Sequence, residues 1–289
     1  MANVQMIIKN EKKQVKDLTV GIIGCGWLGK ALAANLLEQG SSVLATSSQQ
    51  SNVEQLHQQE IQAQQLHLPS DVKQLSQHDV FTQQCLVIAI TPQFRQGRTD
   101  YAMKVAQLVE AAEKQGVTQQ IILLSSTAVY QGLEGTVDES CSLDFAELNS
   151  EEKAPILHAA EQAVLNFNQQ SSILRLAGLV GPERHPGNFL RANKTLKNST
   201  APVNLIHQQD AVGLILSLIV SASSQGIFNG VSDTHVTKAC YYQKAAKSLG
   251  LESPTVSDKG LVSTRIVSGD KAKQELGYSF IYPDLLAWL

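Results

Sequence analysis

Two kinds of apolar pattern alternate along this chain, and together they predict an α/β protein. Short continuous apolar runs, typical of strands buried on both faces of a parallel sheet, occur at residues 18–23, 43–45, 85–90, 121–124 and 173–176. Between them, apolar residues recur at the helical period in two sets, Leu28, Leu32 and Leu36, and Tyr101, Val105, Leu108 and Ala112. Gly40 and Gly116 follow these sets and would end the helices. The repeated strand, helix, strand order predicts a Rossmann-type, doubly wound parallel sheet.

The pattern weakens in the last third of the chain, which predicts a separate lobe. Residues 177–202 carry Gly, Pro, Arg, His and Asn with poor periodicity, as expected of a binding loop outside the carboxyl ends of the strands. A helix at about 155–167 precedes this loop, and a helix at 209–220 and a strand at 226–229 return to the sheet after it. The predicted divisions are a polar extension at 1–17, the Rossmann domain at 18–182 with a return at 205–231, and a small carboxyl-terminal substrate lobe at 183–204 and 232–289.

The first apolar run leads directly into a G-x-G-x-x-G loop and then into a helical pattern. In this context the loop predicts a cradle for the diphosphate of a dinucleotide, made by the unpaired amides at a helix amino terminus. Gly24 would allow the sharp turn, Gly26 would leave room for the diphosphate, and Gly29 would let helix and strand pack closely. The intervening residues expected at the cofactor are Cys25, Trp27 and Leu28.

The end of the second predicted strand bears on which dinucleotide is bound. Thr46, Ser47 and Ser48 stand where NAD-binding folds usually carry an acidic residue for the ribose, so NADP is favoured. No arginine follows them, so NAD stays open. Thr91 and Arg95, which follow the run at 85–90, are further candidates for the cofactor, and Arg95 could instead reach the substrate or lie on the surface.

Composition excludes several classes of partner. The net charge is −3 and no dense Lys/Arg block is present, which argues against nucleic acid and anionic lipid. No apolar run is long enough to span a bilayer, and the four cysteines contain no C-x-x-C pair, so we expect a cytoplasmic protein without a metal site. Near the amino terminus, a basic cluster interrupted by acidic residues is interpreted as a solvated tail; it comprises Lys9, Lys12, Lys13 and Lys16.

One block carries a resemblance to a known family. Residues 121–130, IILLSSTAVY, resemble the SS-x-x-VYG block of the extended short-chain dehydrogenases/reductases, the NAD-dependent epimerase/dehydratase family, with Gln131 in place of the usual glycine. Similar blocks occur at 175–182, 204–211, 226–229, 276–278 and 282–283, so the resemblance covers nearly the whole chain beyond residue 18.

The resemblance implies an activity and an assembly. It implies an oxidoreductase or an epimerase/dehydratase-like enzyme that binds NAD(P) and acts on a nucleotide sugar or another small polar hydroxy or carbonyl compound. It also implies a homodimer, whose interface in that family is commonly built from the two helices that correspond to 101–112 and 155–167 here.

Two departures mark an atypical branch. The family usually carries G-x-x-G-x-x-G, and its catalytic Y-x-x-x-K pair is missing here. With Glu161 in register with the family's acidic residue, Lys153 stands at the tyrosine position and Leu157 at the lysine position. A leucine can neither exchange a proton nor hold the nicotinamide ribose.

The remaining candidates for chemistry follow from this register. Ser126 matches the family's catalytic Ser/Thr and would hydrogen-bond a substrate carbonyl or hydroxyl. Lys153, through a lowered pKa in a dehydrated cleft, and Tyr130 are candidates for the missing proton transfer, and His158 is a weaker one. Arg184 and His185 lie on the predicted substrate loop, where the arginine could pair with a phosphate or carboxylate.

Two functions stay open. The chain is either an enzyme with a nonstandard proton-transfer group or a noncatalytic NAD(P)-binding sensor or regulatory protein whose carboxyl-terminal lobe engages another protein. The missing pair favours the sensor, whereas Ser126 and the loop at 184–185 favour the enzyme.

Overall fold

A computed structural model describes residues 15–146, 148–189, 195–221, 225–257 and 263–289. Most of the extension predicted at 1–17 lies outside the described residues, as do Lys9, Lys12 and Lys13 of the predicted tail. Residues 190–194 of the predicted binding loop also lie outside them.

A parallel sheet of seven strands forms the centre of the described structure. The strands, in chain order, are β1 (Thr19–Ile23), β2 (Ser42–Ser47), β3 (Ala63–Gln65), β4 (Cys85–Ile88), β5 (Gln120–Ser126), β6 (Thr136–Val137), β7 (Gln170–Leu176), β8 (Gly178–Val180), β9 (Leu196–Lys197), β10 (Leu205–His207), β11 (Gly226–Gly230), β12 (Val256–Ser257) and β13 (Ile266–Val267). The central order is β3-β2-β1-β4-β5-β7-β11, and every pairing in it is parallel. This is the doubly wound order expected of a Rossmann-type sheet.

Helices cover this sheet and extend into the carboxyl-terminal region. They are α1 (Trp27–Glu38), α2 (Gln50–Gln58), α3 (Val72–Leu75), α4 (Tyr101–Gln115), α5 (Lys153–Leu165), α6 (Gln208–Val220), α7 (Lys238–Ser248), α8 (Asp270–Leu276) and α9 (Leu285–Trp288). Helix α1 packs against α6, and α4 packs against α5.

The predicted apolar stripes form the core. All residues of the two helical sets are buried, because each set faces the sheet. Gly40 and Gly116 adopt left-handed conformations after α1 and α4, which confirms the predicted helix ends.

Several predicted boundaries differ from the structure, and two of the differences have a local cause. The run predicted at 85–90 ends as a strand at Ile88, because the chain then leaves the sheet beside the turn at Gly24. The helix predicted at 155–167 instead spans Lys153–Leu165. It can begin before Pro155 because the first turn of a helix does not use the amide that proline lacks.

The strand order places a crevice at the carboxyl ends of β1 and β4. The chain winds from β1 through β2 to β3 on one side and from β4 towards β11 on the other, so the order reverses between these neighbours. Ligands of open α/β sheets bind at such a reversal. The glycine loop follows β1 and Thr91 follows β4, so both lie at this edge.

A buried carboxylate attaches the carboxyl-terminal segment to α6. Asp210 has no exposed surface, and it accepts hydrogen bonds from Tyr278 Oη (2.9 Å), Ile281 N (2.6 Å) and Tyr282 N (3.0 Å). Burial raises the pKa of Asp210, while these three donors oppose the rise.

A buried histidine packs against the aromatic rings of a second apolar cluster, around Tyr282 and Trp288. His207 precedes α6, where its Nδ1 accepts from Gln209 N (3.2 Å), and its ring packs against Tyr282 and Trp288 with centroid separations of 4.0 and 4.9 Å. The side chain is 2% exposed, and burial lowers its pKa to about 4.

This buried histidine predicts a pH-dependent stability. The pKa of a histidine in an unfolded chain is about 6.5. Between that pH and a pH of about 4, the unfolded chain therefore binds more protons than the folded protein. The unfolding free energy should therefore fall, by up to about 3 kcal/mol, as the pH is lowered through this window. Urea unfolding at several pH values measures it.

The matched variants separate His207 from other histidines. His207→Asn keeps a side chain that can cap α6 but cannot titrate, so the fall should be reduced. His67→Asn, at an exposed position, should leave the slope unchanged. An unchanged slope in His207→Asn would contradict the prediction.

Candidate cofactor and active site

The three loop glycines occupy the kinds of position predicted for them. A Cβ on Gly24, whose φ is +92°, would lie 2.9 Å from the backbone nitrogen of Ile90. A Cβ on Gly29 would lie 3.3 Å from Ile22 Cγ2, so this glycine sits where α1 packs closely on β1. Gly26 differs from both, because a Cβ there would have nothing within 4 Å apart from its two chain neighbours. The space over Gly26 is therefore open, as a diphosphate would require.

Backbone amides that precede the helical hydrogen bonds lie directly after Gly26, at the start of α1. The first i→i−4 hydrogen bond of the helix runs from Lys30 N to Gly26 O (2.8 Å), so the amides of Trp27, Leu28 and Gly29 precede the helical ladder. No acidic side chain lies in the first turn to neutralise its partial positive charge. Dinucleotide folds use amides of this kind to bind an anion.

Cys25 has a structural role in the glycine loop. Its amide donates to Thr46 O (2.8 Å) and its thiol is buried beneath the loop, where desolvation raises its pKa to about 11. Cys25 thus supports the shape of the loop, and the expected cofactor contact does not extend to its side chain or its amide.

The hydroxyl residues at the end of β2 divide into two roles. Thr46 is 1% exposed, and its Oγ1 accepts from Gly24 N (3.3 Å), so it holds the glycine loop instead of facing a ribose as expected. Ser47 Oγ accepts from Gln49 N and Asn52 Nδ2, both at 3.3 Å. Ser48 is exposed. Ser47 and Ser48 therefore remain as candidates for the ribose or its phosphate.

The segment after β4 supplies an exposed cation. Thr91 is exposed beside the glycine loop, and Arg95 is exposed in a short 3₁₀ turn, Phe94–Gln96. Arg98 is already paired with a carboxylate. Its Nε donates to Asp100 Oδ1 (3.1 Å), and its guanidinium forms an ion pair with the same side chain.

Ser126 ends β5 at the same edge of the sheet and is half-buried. Its Oγ accepts from Ala128 N (3.1 Å) and caps the 3₁₀ turn Thr127–Tyr130. Since this bond uses the oxygen as an acceptor, the hydroxyl hydrogen stays available to a substrate carbonyl or hydroxyl.

The start of α5 lies next to that turn. Gln131 Nε2 donates to Glu152 Oε2 (3.2 Å), and Glu152 directly precedes Lys153, the exposed first residue of α5. Leu157, one turn further, is 1% exposed and belongs to the core. His158 packs against Phe145, with ring centroids 5.2 Å apart. Among these α5 residues, only Lys153 combines exposure with a group that can exchange a proton.

Tyr130 has a structural role, which corrects its candidacy for proton transfer. It has no exposed surface; its hydroxyl donates to Asn229 Oδ1 and accepts from Arg175 Nη1, both at 2.9 Å. Burial raises its pKa despite the neighbouring Arg175. A phenol held in this way cannot reach a substrate in the crevice.

Tyr130 belongs to a buried polar network beneath the site. Arg175 and Glu161 form an ion pair (Nη2 to Oε2, 2.7 Å) in which the side chains are 2% and 0% exposed. Ser125, next to Ser126, donates to Glu161 Oε1 (2.6 Å). The sequence carried one sign of this network, a charged residue inside the apolar run at 173–176, because a buried charge requires a partner.

Trp27 connects the glycine loop to the predicted substrate loop. Its Nε1 donates to Pro182 O (3.0 Å), and its carbonyl accepts from Gln208 Nε2 (3.1 Å). The guanidinium carbon of Arg184 lies 4.9 Å from the centre of the indole ring. We call Trp27, Gly181, Pro182, Arg184 and Gln208 the Trp27 clasp. The residue pattern did not indicate Gln208 or the Pro182 carbonyl, because the contacts join positions more than 150 apart in the chain.

His185 is held by contacts within the protein. Its Nδ1 accepts from Gly187 N (3.2 Å), and its ring lies 5.4 Å from that of Trp288. Burial lowers its pKa. His185 thus shapes the loop, whereas Arg184 remains exposed.

Within the described ranges, no helix is both long and apolar enough to cross a membrane. The same ranges contain no group of three or more His, Cys, Asp or Glu side chains arranged to hold a metal ion.

Solved structures define the class to which this fold belongs. MoeE5 in complex with UDP-glucose and NAD is 18% identical, with 93% of this chain and 95% of that chain covered and a TM-score of 0.73. Human epimerase family protein SDR39U1 (isoform 2), solved with NADPH, is 16% identical, with 93% and 97% covered and a TM-score of 0.71. The fold is that of the NAD-dependent epimerases/dehydratases, the extended short-chain dehydrogenases/reductases.

Sequence relatives narrow this class. A family model described as "NADP oxidoreductase coenzyme F420-dependent" matches residues 19–111. Protein YeeZ of Escherichia coli (strain K12) is 34% identical over 276 residues, covering 92% of this chain and 97% of YeeZ. The chain belongs to the YeeZ family, and its fold is the one expected from the resemblance stated from the sequence.

The buried ion pair predicts that removing one partner lowers the unfolding free energy much more than replacing both. Arg175→Met should lower the unfolding free energy by about 3–5 kcal/mol, because Glu161 would stay buried without its cation. Adding Glu161→Gln should recover most of the loss. Urea unfolding measures both, with exposed Lys114→Gln as the control. A change below about 0.5 kcal/mol in Arg175→Met would show that the pair contributes no more than a surface residue.

Proposed function

We propose that this chain binds NAD(P) and catalyses an oxidoreductase or epimerase/dehydratase-like reaction on a small polar hydroxy or carbonyl compound, of which nucleotide sugars are one class. The single observation that carries the proposal is the open space over Gly26, which directly precedes the amides of Trp27, Leu28 and Gly29 at the start of α1. A helix amino terminus without an acidic partner, opening on such a space, fits a diphosphate.

Two observations favour NADP over NAD. Ser48 is exposed at the end of β2, and no carboxylate occurs from Thr46 to Val53 that would repel a second phosphate on the ribose. The half-buried Ser47 hydroxyl lies at the same strand end. NAD remains the alternative, since no arginine or lysine occurs in that segment.

Each side chain of the site is assigned a role in the proposed reaction. A bound nicotinamide dinucleotide would supply a hydride donor or acceptor. Ser126 would donate its free hydroxyl hydrogen to the substrate oxygen, because its own oxygen is already held by Ala128 N. Lys153 would hold or release the proton that the family's tyrosine otherwise moves, and Thr91 and Arg95 would border the crevice.

One feature favours a second candidate, a noncatalytic NAD(P) sensor or regulatory protein. Lys153 stands at the position of the family's tyrosine and the buried Leu157 at that of its lysine, so neither family acid/base group is present, and Tyr130 is held in the interior network. A sensor would bind NADPH stably without oxidising it in the presence of any member of a broad carbonyl panel. An enzyme would oxidise it with at least one.

Two glycine variants test cofactor binding. Gly26→Ala should fold with parental stability, because its backbone is extended and the added methyl meets no protein atom, yet it should weaken NADPH binding at least about tenfold by filling the diphosphate space. Calorimetric titration with NADPH and NADH, and urea unfolding, measure the two effects. We expect NADPH to bind the parent more tightly than NADH.

Gly24→Ala is the matched comparison. It should lose about 2 kcal/mol or more of unfolding free energy, because its left-handed backbone and the contact with Ile90 leave no room for a methyl group. Parental NADPH affinity in a folded Gly26→Ala protein would contradict the proposed site.

A serine variant tests the proposed chemistry. Ser126→Ala should slow turnover about 100-fold on whichever carbonyl compound the parent reduces, since it removes the hydrogen bond to the reacting oxygen. NADPH affinity should change less than about twofold, because Ser126 lies on β5 and not in the glycine loop. Stopped-flow oxidation of NADPH gives the rate. Equal rates for parent and variant would remove Ser126 from the mechanism.

A further inference from the structure

Arg184 is a cation without an anion in the part of the chain that the structure describes. Its side chain is exposed, and no described carboxylate lies within ion-pair distance of it. It is nevertheless held in place, because its guanidinium packs 4.9 Å from the centre of the Trp27 ring. A charged group that is stacked on an aromatic ring and left unpaired is available to a ligand.

The position of Trp27 places that cation beside the cofactor site. Trp27 is the first residue of α1, and its own amide is among those that precede the helical ladder. Trp27 directly follows Gly26, and the Arg184 guanidinium packs on its ring, so this charge is held by the residue next to the open space. No acidic side chain lies in the first turn of α1 to compete for it.

The rest of the Trp27 clasp fixes this arrangement. Trp27 Nε1 donates to Pro182 O (3.0 Å), and Gln208 Nε2 donates to the backbone oxygen of Trp27 (3.1 Å), so both the indole and the backbone of this residue are held. A Cβ on Gly181 would lie 3.0 Å from Gln208 Cβ and 3.4 Å from the indole, so glycine lets the loop approach this closely. Arg184 is thus presented on a fixed platform.

We infer that Arg184 binds the cofactor diphosphate, jointly with the first-turn amides of α1, and that Trp27 is the platform that positions it. This replaces the substrate role expected from its place in the loop, and it rests on the proposed function. A planar guanidinium can pair with two phosphate oxygens while its face stays on the indole. Cofactor binding would then draw the loop at 181–185 and helix α1 together through one ligand.

ADP-ribose is the probe that isolates this contact, because it carries the diphosphate but no nicotinamide. Calorimetric titration should show about tenfold weaker binding in Arg184→Gln than in the parent, and a shallower dependence of affinity on salt. Arg184→Lys should fall between the two, since an ammonium keeps the charge but loses the paired geometry. Lys114→Gln, an exposed charge at the far end of α4, should bind as the parent does.

Tryptophan fluorescence gives an independent readout. The chain has two tryptophans, Trp27 and Trp288, so a Trp288→Phe protein reports on Trp27 alone. ADP-ribose should change its emission, and adding Arg184→Gln should reduce that change at saturating ligand.

The results distinguish a wrong role for Arg184 from a wrong cofactor site. If the parent binds ADP-ribose and Arg184→Gln binds it equally well, with the same salt dependence, the role of Arg184 is wrong and the proposed function stands. If the parent binds no ADP-ribose, the proposed cofactor site fails and the role of Arg184 falls with it.

Discussion

The structure depends on a constraint at one point, where the chain must turn from β1 into α1 without a side chain in the space above the turn. Gly24 makes the turn against Ile90, and Gly26 leaves an opening directly before the amides of Trp27, Leu28 and Gly29. A helix end with unpaired amides is stable only with water or a ligand as its partner. The strand order places this helix end at the sheet's crevice, so the anion site and the candidate chemical site share one edge.

The interior beneath that edge is polar where most Rossmann cores are apolar. Glu161, Arg175 and Tyr130 join α5, β7 and the turn after β5, and Asn229 adds β11. Each group has a partner, which is the condition for burying charge. The network fixes the segments that flank Ser126, so a serine at a strand end can be held in position without a catalytic tyrosine beside it.

The sequence predicted the local features well, because they follow from neighbouring residues. The strands of the sheet and the roles of Gly24, Gly26 and Gly29 depend on short patterns. The sequence could not place Thr46, because alternation along a strand does not show that its hydroxyl turns inward to Gly24 N. Nor could it find the partner of Tyr130, because Asn229 lies 99 residues away and the contact exists only once β11 has joined the sheet.

The most direct test of the account is an amide chemical-shift titration of the labelled protein with NADPH. Hydrogen bonding of the diphosphate to the start of α1 predicts that the resonances of Trp27, Leu28 and Gly29 move downfield more than any others. The amide of Cys25, already bound to Thr46 O, should move less. Saturable shifts elsewhere in the molecule, with these three resonances unmoved, would contradict the central claim.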